Sequence, residues 1–131
     1  MTSEQLKDRT RRFALRIIRV AEALPRTRAA MILGSQLIRS GTSVGANYRA
    51  ACRAKSPADF IAKLGIVEEE ADESLYWMEL IVDAKLLPKT RLADLMREAG
   101  EIVAITVASI NTARGKKRQR MNPQSAIRNP K

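Results

Sequence analysis

The residue types that do most protein chemistry are sparse in this sequence. The chain has no histidine and a single cysteine, Cys52. Without histidine the commonest general base and the commonest metal ligand are both missing, so Ser-His and Cys-His nucleophiles are excluded. One thiol cannot build a zinc site, and Cys52 reads better as a small buried hydrophobe than as a reactive group. Carboxylates remain: Glu68, Glu69, Glu70, Asp72 and Glu73 crowd together, and paired acids can hold the metal of a nuclease. The ferritin-like alternative needs Glu-x-x-His on two helices, which this chain lacks. Helical positions argue against the nuclease as well. Glu68, Asp72, Glu79 and Asp83 fall on one flank of an apolar seam, whereas Asp59, Lys63, Ile66, Glu70, Glu73 and Trp77 fall on the opposite flank. That second flank mixes charge, aliphatic and indole surface as an interface does. Glu70 and Glu73 are expected to meet arginines there, Arg39 or Arg49, from the second helix or a neighbouring subunit. The segment Gly41-Thr42-Ser43-Val44-Gly45 lacks the Gly-Lys-Ser/Thr ending of a phosphate-binding loop. No catalytic residue, metal or cofactor is expected.

Positive charge is the more informative chemistry. The 131 residues carry a net charge of +10. Residues 1–55 hold twelve Lys/Arg against three acids, residues 56–113 five against eleven, and residues 114–131 seven against none. Two basic blocks around an acidic one imply a polyanion outside and charge pairing inside. Arg9, Arg12, Arg16 and Arg19 are spaced three, four and three residues apart, which stacks them along one line of a helix. Three readings stay open for that line: a solvated stripe, a partner for the acidic helix, or a ridge that touches phosphates. Lys116, Lys117, Arg118 and Arg120 form a second cationic cluster near the end of the chain.

These groups need helices to place them. Five aromatic residues and an apolar content made of Leu, Ile, Val, Ala and Met suit helix packing better than a β-sandwich. The periodicity predicts an all-α, up-and-down four-helix bundle over residues 3–24, 27–53, 57–86 and 90–113, with a disordered basic tail over 114–131. Ser3 is the expected N-cap of the first helix, with Leu6, Phe13, Ala14, Ile17, Ala21 and Leu24 inward and Pro25 ending it. In the second, Leu33, Leu37, Val44, Tyr48 and Ala51 keep one phase across Gly41. Gly34, Gly41, Gly45 and Cys52 make a line of small residues where another backbone can approach. Ser56-Pro57-Ala58-Asp59 opens the third, whose seam runs Phe60, Leu64, Val67, Ala71, Leu75, Met78, Val82. The fourth buries Leu92, Leu95, Ala99, Ile102, Val103, Thr106 and Ile110, and Gly115 is the expected terminator. No stretch approaches the roughly 20 apolar residues of a membrane span, and the single cysteine fits the cytoplasm.

Gln36-Leu37-Ile38-Arg39-Ser40-Gly41-Thr42-Ser43-Val44-Gly45-Ala46-Asn47-Tyr48-Arg49, followed by Ala54, Asp59-Phe60-Ile61, Lys63-Leu64, Glu70, Glu73 and Tyr76-Trp77, resembles the four-helix-bundle proteins encoded by intervening sequences of bacterial 23S ribosomal RNA genes. The resemblance spans about Arg9 to Leu87, and the fourth helix carries little of it. It implies a left-handed bundle assembled into a ring, a homopentamer with a central channel. It also implies likeness to the accessory proteins of diversity-generating retroelements, which are basic pentamers that bind nucleic acid and a reverse transcriptase. No catalytic activity comes with it. Where the family usually has Glu after Asn-Tyr-Arg, this chain has Ala50, so the local ion network must differ. Ser40, Ser43 and Asn47 belong to the shared motif, either satisfying backbone carbonyls within the packed helix or facing outward as RNA contacts.

The function expected from all this is non-enzymatic binding of RNA or DNA by a homo-oligomer, through Arg9, Arg12, Arg16, Arg19, Lys116, Lys117, Arg118 and Arg120. A scaffold or accessory subunit for a nucleic-acid enzyme is the alternative. Arg39, Ser40, Ser43, Asn47, Asp59, Glu70, Glu73 and Trp77 are expected to be structural or interface residues.

Overall fold

A computed structural model describes the backbone of residues 1–121 and the side chains of residues 1–116. Four helices follow one another: α1 Ser3–Glu22, α2 Arg28–Ala51, α3 Pro57–Asp83 and α4 Lys89–Met121. Short connections force antiparallel neighbours and an up-and-down arrangement. Packing joins α1 to α2, α2 to α3 and α3 to α4, and a sparser α1–α4 contact closes the bundle, which leaves α1 and α3 at diagonal corners.

Local chemistry explains most boundaries. The N-cap of α1 is Thr2 and not Ser3, because Thr2 completes a reciprocal box with Gln5. Thr2 Oγ1 accepts from the Gln5 N–H at 3.1 Å, and Gln5 Oε1 accepts from the Thr2 N–H at 2.8 Å. Thr27 caps α2 through the Ala30 N–H at 3.2 Å, and α2 passes through Gly41 without interruption. Ser56 caps α3 as its sequence predicts, accepting from the Asp59 N–H at 3.0 Å with Pro57 at the first helical position. α3 stops at Asp83, three residues before the expected end, in a Schellman turn. The Lys85 N–H bonds the Val82 carbonyl at 2.9 Å and the Leu86 N–H bonds the Ile81 carbonyl at 3.0 Å. Lys85 takes the left-handed conformation this turn requires, with φ 60°.

The other end of the chain departs from expectation. α4 runs through Gly115 to Met121, so it crosses the boundary expected between residues 113 and 114. A glycine inside a helix costs about 1 kcal/mol relative to alanine, but it terminates the helix only if it turns left-handed, and no glycine here has positive φ. The residues after it, Lys116-Lys117-Arg118-Gln119-Arg120, are good helix formers, and the next breaker is Pro123. The disorder expected of residues 122–131 lies outside the described residues.

The core is one cluster fed by all four helices, with Phe13, Ile17, Leu37, Leu64, Met78, Ile81, Leu92 and Ile102 fully buried. In α3 the buried phase runs Leu64, Val67, Ala71, Ser74, Met78, Ile81. Beyond Ala71 it therefore passes through Ser74 and Ile81, with Leu75 and Val82 as half-buried flanks. The small-residue line of α2 does what its spacing predicts. A Cβ on Gly41 would stand 2.7 Å from both Cγ1 and Cγ2 of Ile17, and one on Gly45 would stand 3.2 Å from Thr10 Oγ1. α1 and α2 can approach this closely only because those positions carry no side chain.

Candidate nucleic-acid interface

The arginine line of α1 divides into two parts. Arg9 turns toward α4, where its Nε and Nη2 donate to the two oxygens of Glu98 at 2.7 Å each, and Nη2 also donates to Glu101 at 2.9 Å. The Glu98 hydrogen bonds raise the Arg9 pKa still further above its ordinary value, so the charge is permanent and committed within the chain. Arg9 is thus paired within the chain, but with α4 and not with the acidic helix α3. Arg12 and Arg19 stay exposed and Arg16 is half-buried. Arg12 lies 2.9 Å from Asp8 one turn earlier, a solvated pair that leaves most of the guanidinium in water. Arg16 and Arg19 form no ion pair among the described residues, and Arg19 sits in the last turn of α1, where the carbonyl end favours a cation. Lys116 is exposed on α4. The side chains of Lys117, Arg118 and Arg120 lie outside the described residues.

The acidic flank of α3 is drawn into pairs in the same way. Arg39 donates to Glu70 at 3.2 Å and to Gln36 at 3.1 Å, and pairs with Glu73. Glu73 also accepts from the Trp77 indole N–H at 3.1 Å. Arg39, and not Arg49, is thus the partner of both acids. Those two carboxylates face a guanidinium, and among the described residues no three acids or cysteines converge on a metal-sized centre. Lys63 donates to Asp59 at 2.7 Å, and Asp59 accepts from the Lys55 N–H at 3.1 Å. Lys63 first, and that backbone bond second, hold the Asp59 carboxyl below its usual pKa.

The motif residues of α2 turn inward or onto their own helix. Ser40 is fully buried, and its hydroxyl donates to the Leu37 carbonyl at 3.3 Å. Ser74 Oγ of α3 reaches Ser40 Oγ at 2.9 Å and the Glu70 carbonyl at 2.8 Å, a polar bridge inside the α2–α3 seam. Ser43 donates to the Arg39 carbonyl at 2.6 Å, and the Asn47 amide to the Ser43 carbonyl at 2.8 Å. The structural reading therefore fits all three motif residues. Tyr48 is buried, and that burial, then its neighbour Cys52, holds the phenol protonated above its ordinary range. Sequence reasoning missed Ser74 because a serine at a seam position carries no apolar signal. The strict three-four alternation from Leu64 would have found it. Trp77 meets Tyr76 edge to face with ring centroids 5.2 Å apart, and Tyr76 is exposed.

No helix among the described residues is long and apolar enough to cross a membrane. What fold and surface together define is a small helical-bundle protein that carries its charge on helix faces and pairs four of its acids, Glu70, Glu73, Glu98 and Glu101, with arginines of neighbouring helices. The chain belongs to the 23S rRNA-intervening sequence protein family, the match running over residues 4–108 and so including most of α4. It is similar to a crystal structure from Bacteroides thetaiotaomicron described as a protein with unknown function from the S23 ribosomal protein family. The two are 36% identical with a TM-score of 0.75, over 79% of this chain and 96% of that one. No curated protein matches the chain.

Proposed function

We propose that this protein is a non-enzymatic, oligomeric nucleic-acid-binding protein whose exposed cations hold the phosphate backbone of RNA or DNA. The observation that carries the reading is the division of charge. Arg9 and Arg39 neutralise acids of α3 and α4, while along α1 Arg16 and Arg19 form no ion pair among the described residues and Arg12 has only a solvated pair with Asp8, in a chain of net charge +10. A surface that keeps cations outward attracts polyanions in proportion to the counterions it releases. Phosphate contacts of this kind position a strand without reading its bases.

Self-assembly strengthens such contacts through avidity, and a homopentamer is the state that the family resemblance implies. Among the described residues, the exposed large apolar side chains within helices, Leu15, Ile18, Met31, Ile32, Ile66 and Tyr76, all lie on α1, α2 and α3. Apolar surface of that distribution supports a partner, either further copies of the chain or a nucleic-acid enzyme for which the bundle is an accessory subunit.

The test is fluorescence binding of single-stranded RNA and duplex DNA across a salt series, comparing the natural chain with R12Q/R16Q/R19Q. Binding that weakens steeply with salt, with a slope shallower in the triple variant by about 2 on the single strand and about 3 on the duplex, is the expected result. Salt-insensitive failure to bind either nucleic acid leaves the accessory-scaffold reading.

A further inference from the structure

The charge compensation along the α2–α3 seam stops partway. Midway along α2, Arg39 faces Glu70 and Glu73 of α3. Toward the C-terminal end of α2, the residue that α3 presents is Lys63. A hollow of about 430 Å³ opens there, lined by Ala46, Arg49, Ala50, Arg53 and Lys63, three cations and no carboxylate. Lys63 is partly satisfied by Asp59. Arg49 and Arg53 are exposed and form no ion pair or side-chain hydrogen bond among the described residues. Each guanidinium therefore keeps its five donors for something outside the chain. The carbonyl end of α2 makes cations tolerable at this place, but it does not use those donors.

We propose that this hollow is a phosphate seat, in which Arg49, Arg53 and Lys63 hold a phosphodiester of a bound nucleic-acid strand. The inference rests on the nucleic-acid reading above and deepens it by naming a place. Ala46 and Ala50 lie one turn apart on α2 and present only methyl groups, so a phosphate can come close to the helix between the cations. Arginine suits the task because its planar fork matches two phosphate oxygens at once. Arg49 also lines a second hollow of about 750 Å³ between α1 and α2, together with Lys7, Arg11 and Thr42, and with Glu4 and Asp8. Those two acids are already engaged by Lys7 and Arg12. A strand leaving the seat in that direction passes Arg11 of α1.

Position 50 gives a direct test, because a carboxylate there would answer the local cations from within. The full chain, A50E and A50Q are compared for binding of a fluorescent single-stranded oligouridylate, and separately of inorganic pyrophosphate, with thermal unfolding followed by circular dichroism. The seat predicts that A50E melts no lower than A50Q yet binds the oligonucleotide at least roughly tenfold more weakly, with a shallower salt slope. A50Q should stay within about twofold of the natural chain, since glutamine adds bulk without charge. R49Q/R53Q should reproduce the loss. Oligonucleotide binding that is equal in A50E and A50Q overturns the seat while leaving the nucleic-acid function standing. Failure of the natural chain to bind any oligonucleotide overturns both. Pyrophosphate binding that A50E abolishes in that circumstance marks a free-phosphate site in place of a nucleic-acid one.

Discussion

Arg9 and Glu98 form a two-pronged pair across the α1–α4 seam, Nε to one carboxylate oxygen and Nη2 to the other, both at 2.7 Å. The seam it closes is the least extensive of the four helix contacts. Both side chains are partly shielded, at 24% and 16% exposure, so solvent screening of the pair is reduced but not removed.

Removing the charge of Glu98 while keeping its shape tests that role. Glu98→Gln should destabilise the chain by about 1–2 kcal/mol in urea unfolding, because the half-buried guanidinium loses its best acceptor. Glu101, whose side chain is 53% exposed, should matter far less, and Glu101→Gln should cost under about 0.5 kcal/mol. Equal costs for the two variants would show that the bidentate geometry contributes nothing special.

The same substitution should have opposite signs at two glycines. Gly41→Ala places a Cβ against the branched Ile17 side chain at 2.7 Å, close to the Ile17 backbone where little can yield, and should cost about 1–3 kcal/mol. At Gly65 nothing lies within 4 Å of the added Cβ, so Gly65→Ala should stabilise α3 by about 0.5–1 kcal/mol. Thermal melts of the two single variants decide this, and a stabilising Gly41→Ala would refute the close-packed α1–α2 contact.

Lys85 adopts φ 60° in the turn after α3, a conformation that glycine enters without the steric cost a side chain adds. Lys85→Gly should raise stability by up to about 1 kcal/mol despite the greater freedom glycine has in the unfolded chain. A clear loss of stability would mean that the Lys85 side chain contributes something its position does not reveal.

Asp59 supplies a pH signature. Its carboxyl is held below the ordinary value by Lys63 and the Lys55 N–H, so the folded chain binds that proton less readily than the unfolded chain. The stability it contributes is complete above the unfolded carboxyl pKa of about 3.9 and disappears as pH falls through the lower folded value. Asp59→Asn should therefore be less stable than the natural chain near neutrality, and the difference should close in strong acid. A gap that stays constant through the carboxylate range would rule out the linkage.

Much of the fold was legible because helix periodicity is a local property. The inward faces of α1 and α4, the Ser56-Pro57 start of α3 and the close approach at Gly41 all follow from residue type and spacing within one element. Helix ends were less legible. Gly115 reads as a stop, yet nothing in the tertiary structure turns it left-handed and α4 continues to Met121. Asp83 ends α3 because Ile81, Val82, Lys85 and Leu86 close a turn together, a choice that no single residue announces.

Charge divides along the same line. By itself the sequence determined how many cations and acids there are and which of them share a helix face, since both follow from composition and the 3.6-residue repeat. Only the tertiary structure decided which charges are cancelled. Arg9 and Arg19 occupy equivalent places in the pattern, but α4 brings Glu98 and Glu101 to one, and no acid among the described residues comes to the other. The reason is physical: an ion pair depends on a distance between residues far apart in the chain, and helix packing sets that distance.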